Sequence, residues 1–367
     1  MPIVLMLVVL LGGNVYVFYR IWHLIPNIPV IRLIITGLGI VLSASLFITI
    51  LARDVLSPSV LSVLYKASTS WLFIFIYILL LFLILDLLKL THLFPINRFL
   101  HQSWTGFISI VTIITVLFSW GYYKYTHKER VELTLSINKK SEQDISLKVV
   151  AISDLHLGYG IGRTELEKWV EMINQENPDI LLIAGDIIDN SLIPVKEQNM
   201  DELFRKIKTK YGIYAVPGNH EYISGISESA DFLNDAGVHL LTDSTVLIDS
   251  LFYVTGRDDR SNPNRKEIKE LISGLDESKP IILMDHQPYH LEEAEENNID
   301  LQISGHTHHG QVVPISWITK SMYEKSHGYL KKGNTHIYVS SGIGIWGGKF
   351  RIGSQSEYVV INLKCSR

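Results

Sequence analysis

The chain of 367 residues has one cysteine, Cys365. That excludes an intramolecular disulfide and leaves the redox compartment open. Charge is scarce in the first third. Residues 1–123 carry six Lys or Arg (Arg20, Arg32, Arg53, Lys66, Lys89, Arg98) and two acids (Asp54, Asp86). The remainder holds 27 basic and 35 acidic residues, which argues against nucleic acid as a main partner. There is no internal repeat and no low-complexity tract, so solenoid and disordered classes are excluded.

The uncharged stretches of the first third are long. Leu33–Ala52, Ala67–Leu85, Phe99–Tyr123 and Met1–Tyr19 each reach about the ~20 residues needed to cross a hydrocarbon core. They lack the polar face of a soluble bundle helix, so four transmembrane helices are expected over 1–123. The first run has no basic leader and no small-residue cleavage site, and is read as a retained helix rather than a signal peptide. Trp120, Tyr122, Tyr123 and Tyr125 suit the membrane–water interface, followed by Lys124, Lys128 and Arg130 in water. The distribution of Lys and Arg favours a multi-pass cell-membrane protein with its large domain on the cytoplasmic side. Asp86 is expected to pair with Lys89, three residues on. A juxtamembrane linker is assigned to 124–146 and a soluble domain to 147–367.

In the soluble part, short apolar runs alternate with helical ones, the pattern of a layered α/β domain. "TELEKWVEMINQEN" places Leu166, Trp169, Val170 and Ile173 on one helical face. The strands LKVVAIS, DILLIAG, GIYAVPG, PIILM and LQISG are each followed by Asp, His or Asn: Asp154 and His156, Asp186 and Asp189, Asn219 and His220, Asp285 and His286, His306 and His308. Any one of these is an ordinary turn residue or a lone histidine. Five at the carboxyl ends of core strands point to a metal site. Imidazole, carboxylate and amide oxygen suit two divalent ions (Mn, Fe or Zn, with Mn the first expectation). Two ions ~3.5–4 Å apart, bridged by a carboxylate such as Asp186, can hold a hydroxide between them for in-line attack on phosphorus. His220 directly follows Asn219 and is better placed as a proton donor to the leaving oxygen than as a ligand.

These motifs resemble those of the calcineurin-like metallophosphoesterases. The family pattern D-x-H, G-D, G-N-H-D/E, H, G-H-x-H is matched in order by Asp154-x-His156, Gly185-Asp186, Gly218-Asn219-His220-Glu221, His286 and Gly305-His306-x-His308. The resemblance implies a four-layer αββα sandwich. It implies one metal held by Asp154, His156, Asp186 and His308, a second held by Asp186, Asn219, His286 and His306, and His220 as catalytic acid. "GDIIDN", "DHQP", "GHTHHGQ" and the late "SSGIGIWGGKFRIGSQSE" are similar to the membrane-linked bacterial branch, which includes pyrophosphohydrolases of UDP-2,3-diacylglucosamine. His309 stands where that branch has Gly and is expected to be tolerated in the loop rather than to bind metal. No role is assigned to Asp189. The implied activity is hydrolysis of a phosphodiester or pyrophosphate bond, and the membrane region points to membrane lipid as a partner and to a lipid-linked phosphoester as substrate. Lys320, Lys325, Lys331, Lys332, Lys349 and Arg351 form a late basic stretch able to meet an anionic headgroup, or a solvated surface. Two other classes compete. A non-catalytic membrane scaffold or sensor should have lost a ligand or the acid, and none is missing. A transporter should have polar or broken spans, and these have few interruptions.

Overall fold

A computed structural model describes residues 2–53, 55–92, 96–139 and 144–365, with side chains from residue 11 onward. The chain divides into two compact units, residues 1–121 with 347–349 and residues 122–346 with 350–367.

The first unit is helical. Among the described residues, three helices are long and apolar enough to cross a membrane: Pro29–Leu51, Pro58–Leu90 and Trp104–Thr126. Their side chains are largely unburied by protein; Leu33, Val41, Val63 and Val116 are each more than 60% exposed. Such apolar exposure suits lipid rather than water. The run expected as a further span forms the helix Pro2–Leu24, and the side chains of its first residues lie outside the described ones. Within this unit Val17, Leu24, Phe75, Phe82 and Ile110 form a shared core. The expected Asp86–Lys89 pairing is not what holds Asp86. Arg20 Nη2 lies 2.7 Å from its Oδ1, and Tyr16 donates its hydroxyl to Oδ2 at 2.5 Å. A tertiary neighbour with a guanidinium displaces the local i,i+3 partner because it supplies charge and direction together.

The second unit contains two six-stranded mixed sheets. The first is built from β1 (Glu129–Ile137), β2 (Ile145–Ile152), β3 (Ile180–Ala184), β4 (Ile213–Val216), β5 (Val238–Leu240) and β12 (Glu357–Cys365), in the order β1-β12-β2-β3-β4-β5. The second is built from β6 (Ser244–Ile248), β7 (Phe252–Gly256), β8 (Ile281–Met284), β9 (Leu301–Ser304), β10 (Gly328–Lys332) and β11 (Thr335–Val339), in the order β10-β11-β9-β8-β7-β6. The segment expected as a linker thus contains β1, paired in parallel with β12 from Glu129↔Glu357 to Ile137↔Cys365.

Alternation along each strand assigns the faces. Val149, Ala151, Leu182 and Ala184 of one sheet share a core with Ile282, Met284, Leu301 and Ile303 of the other, so the sheets pack face to face. Val150, Ile152, Leu181 and Ile183 point the opposite way and pack with Leu166, Trp169, Val170 and Ile173 of the helix Arg163–Glu176. Ile281 and Leu283 pack with Ala294 and Ile299 on the outer side of the second sheet. Both faces are buried, which is why these strands read as continuous apolar runs. Tyr125, expected at a membrane interface, is instead 1% exposed, packs in this unit, and donates to Glu165 Oε1 at 2.7 Å. β2, β3 and β4 run parallel to one another, as do β7, β8 and β9. Their carboxyl ends therefore share an edge in each sheet.

Candidate metal centre

β2 is followed by Ser153-Asp154-Leu155-His156, where the chain turns sharply. Asp154 and His156 have φ of 54° and 49°, Asp186 53°, His306 70° and His308 48°. Left-handed backbone at non-glycine residues is sterically costly, and its concentration at the expected ligands marks a site held by its surroundings. Backbone bonds hold the turns in register. Asp154 N donates to Gly185 O at 3.0 Å, and His156 N to Asp186 O at 3.0 Å. The motif glycines are needed for space. A Cβ on Gly185 would lie 2.5 Å from His286 Nδ1, and one on Gly305 2.5 Å from Asp154 Oδ2.

Among the described residues three groups of potential ligand atoms result, one of them His156, Asp189 and His220. Asp154, His156 and His308 converge within 4.8 Å of one another, and so do Asp186, His286 and His306. Asp186 Oδ2 lies between them, 3.7 Å from His156 Nε2 and 3.2 Å from His286 Nε2. His156 Nε2 and His308 Nε2 are 3.0 Å apart. The donor set contains no thiolate and suits divalent metal. His286 Nδ1 is bonded to Ala184 O at 2.7 Å, leaving its buried Nε2 without a hydrogen-bond partner. That is how a backbone carbonyl fixes the tautomer of a metal-binding histidine. Asn219 Oδ1 is likewise buried and unpaired. Orphaned buried acceptors are rare, and these two fit the group that the donor set implies. Burial pushes the His306 pKa down to about 4. Burial and His156 hold that of His308 well below its usual value. Both rings are therefore neutral near pH 7, the form that coordinates metal.

His220 and the unassigned Asp189 come together here. His220 Nδ1 lies 3.1 Å from both the carbonyl oxygen and Oδ1 of Asp189. The same Oδ1 is 3.3 Å from His156 Nδ1. Burial favours the neutral ring, but the Asp189 bond and the charges of Asp186 and Asp189 prevail and push His220 up to about 9. Glu221, the last residue of "GNHE", is fully buried and accepts from the backbone N–H of Gly218, Asp186, Ile187 and Ile188. One carboxylate thus joins the Asn219 turn to the Asp186 turn.

His309 stays outside the cluster, stacked on His327 with ring centroids 4.7 Å apart. Asp285 also turns away, to Arg257 Nη1 and Arg265 Nη1, each at 3.2 Å. Arg351 departs from the expected basic surface. It is fully buried and donates to His308 O at 2.7 Å, Ser341 O at 2.6 Å and Gly344 O at 2.9 Å. It braces the histidine loop and is unavailable to a headgroup. Lys332 pairs with Glu324 at 2.9 Å. Sequence reading missed β7, whose end delivers the buried Asp258 and Asp259; Asp259 accepts from Gln287, next to His286. The signal was there in "FYVTGRDD", an apolar run ending in two acids.

Residues 147–310 match the family described as calcineurin-like phosphoesterase. A Helicobacter pylori protein described as an uncharacterized metallophosphoesterase is 32% identical over 252 residues, which are 66% of this chain and 66% of that protein. An Aquifex aeolicus protein of the same description is 30% identical over 255 residues, 65% of this chain and 95% of its own length. The zebrafish (Danio rerio) "Transmembrane protein with metallophosphoesterase domain" is 30% identical over 250 residues, 64% of this chain and 57% of its own. Motifs in order, ligand atoms gathered at the strand ends and these relatives agree that the chain belongs to the calcineurin-like metallophosphoesterase family.

Proposed function

We propose that the chain is a membrane-anchored, dinuclear metal-dependent phosphoesterase that hydrolyses a phosphodiester or pyrophosphate bond of a lipid-linked substrate. The observation that carries the dinuclear reading is the position of Asp186 between two ligand groups. On this reading one site comprises Asp154, His156, Asp186 and His308, and the other Asp186, Asn219, His286 and His306. Two ions of the Mn, Fe or Zn class, Mn favoured, supply Lewis acidity and a nucleophile at neutral pH when bound. The chain's own residues do the rest. Asp186 accepts from the His220 backbone N–H through Oδ1 at 2.9 Å, which leaves Oδ2 facing both ligand groups. Ala184 O and Asp189 orient the rings of His286 and His156. His220, held protonated beside Asp189, gives its proton to the leaving oxygen. The strained turns pre-order these groups, so little reorganisation is needed on reaction.

The wider reading is a four-layer αββα domain that includes β1 ahead of residue 147 and four spans within 1–123, with the catalytic domain cytoplasmic. Apolar helices in the same chain favour a substrate resident in the bilayer, because tethering keeps the site near it. The test uses the full chain in detergent. Elemental analysis should find two divalent ions per chain, Asp186→Ala should deplete both, and chelation should abolish hydrolysis of a nitrophenyl phosphodiester until metal is restored. At most one ion in the fully loaded protein would sink the dinuclear reading, and hydrolysis that survives chelation would sink the metal-dependent one.

A further inference from the structure

The short helix Ile315–Met322 follows the histidine loop and is unusual for the surface of an acidic domain. It buries one side chain, Ser316. Its large apolar residues all face outward: Trp317 is 68% exposed, Met322 61%, Ile318 56% and Ile315 37%. Elsewhere on this unit, exposed aliphatics such as Ile193, Ile223 and Leu247 stand singly. At ~100° per residue, these four and Ser321 form one arc of about 160°, directly opposite Ser316. The apolar face is thus turned away from the domain that carries it. Contiguous exposure of this kind marks an interaction surface.

The helix is joined rigidly to the metal centre. Gly310, at φ 69°, approaches the Ser316 backbone so closely that a Cβ there would collide with it. Ser316 N donates to Val312 O at 3.1 Å, and Gln311 Nε2 to the carbonyl of Trp346, itself 40% exposed. Whatever fixes this helix also fixes the loop bearing His306 and His308.

Charge identifies the occupant. Gln311–Tyr323 contains no Asp or Glu and one cation, Lys320. Trp, Ile and Met on one face, a lysine on its flank and no carboxylate match the headgroup boundary of an anionic bilayer, where indole rings settle and lysine meets lipid phosphate. We propose that Ile315–Met322 is an interfacial anchor, which lays Trp317, Ile318 and Met322 into an anionic lipid surface and holds the histidine loop there. This rests on the reading that the chain is membrane-held, and it assigns the second unit a lipid contact independent of the spans.

The experiment uses the full chain carrying Cys365→Ser, reconstituted in vesicles of equal parts phosphatidylcholine and phosphatidylglycerol. A nitroxide is placed at Met322→Cys. Reference labels are placed at Ile113→Cys, on an exposed face of an apolar helix, and at Lys168→Cys, on the exposed side of Arg163–Glu176. Met322 and Lys168 are exposed, so the labels should leave the fold unchanged. Collision rates with oxygen, which partitions into lipid, and with a nickel chelate, which stays in water, are then compared. The expected result at 322 is high oxygen and low nickel access, as at 113 and opposite to 168, with an immersion depth of ~5–10 Å. Nickel access equal to that at 168 would overturn the proposal by showing a water-facing helix. Low access to both would overturn it in favour of a protein partner. High nickel access at 113 would sink the membrane reading on which it rests.

Discussion

Asp189 stands between His156 and His220, and removing its charge while keeping its shape should move the alkaline limb of activity. Burial alone would lower the His220 pKa; the ring is held at about 9 against that penalty chiefly by Asp189 and Asp186. The sign follows from the proposed role as acid. Activity needs protonated His220, so in the wild type it falls as pH rises through about 9. The same raised pKa stabilises the folded chain fully below 6.5, and that contribution is lost as pH rises through about 9. In Asp189→Asn the limb moves toward acid. If the ring returns only to its ordinary 6.5, the protonated fraction at pH 8 drops from about 0.9 to about 0.03, a loss of about thirtyfold. Retained burial would make the loss larger. The assay is kcat against pH on an alkyl phosphodiester at saturating metal. Metal content is checked in parallel, because Asp189 also bonds His156. A nitrophenyl diester, whose leaving group needs little protonation, should show a smaller shift. An alkaline limb that stays in place with both metals bound would refute the coupling of Asp189 to His220.

His220→Ala should keep fold and metals and lose about 10²–10⁴ in turnover, more for alkyl than for nitrophenyl esters; equal losses on both substrates, or loss of a metal, would remove the acid role. The full chain should stay with membranes through high-salt and alkaline washing, because charge attraction alone is screened; its release would exclude integral spans. Arg351→Met should take the guanidinium donors from the buried carbonyls of Ser341, Gly344 and His308, the last of which keeps its bond from Gln311 N, at ~1–3 kcal/mol for each acceptor left unsatisfied. Thermal unfolding should register this as a lower Tm, with Arg351→Lys giving little rescue because the planar fork that reaches separate carbonyls is lost; an unchanged Tm would refute it.

The metal-site candidates were legible because each lies within a few residues of an apolar run. A strand buried on both faces has a strong local signature, and the residue after it inherits its place at the sheet edge. Helix Arg163–Glu176 was legible for a similar reason, since its buried face is an i, i+3, i+4, i+7 set. β1 was not recognised. "ERVELTLSI" alternates as an edge strand should, but its half-exposed pattern beside a membrane region reads as a tether until β12 is seen next to it.

The amino-acid order alone determined which side chains are presented at strand ends and where the apolar segments fall, because these depend on local periodicity and composition. Tertiary structure alone decided how those side chains combine. The division of strands between two sheets, the gathering of Asp186 with His156 and His286, and the placing of Asp189 against His220 arise from contacts between distant segments. The buried roles of Arg351 and Tyr125, and the pairing of Asp86 with Arg20 and Tyr16, belong to the same class. A charged or aromatic residue has the same local signature on a surface as in a buried network, and only the partners that the fold brings within hydrogen-bond reach distinguish the two.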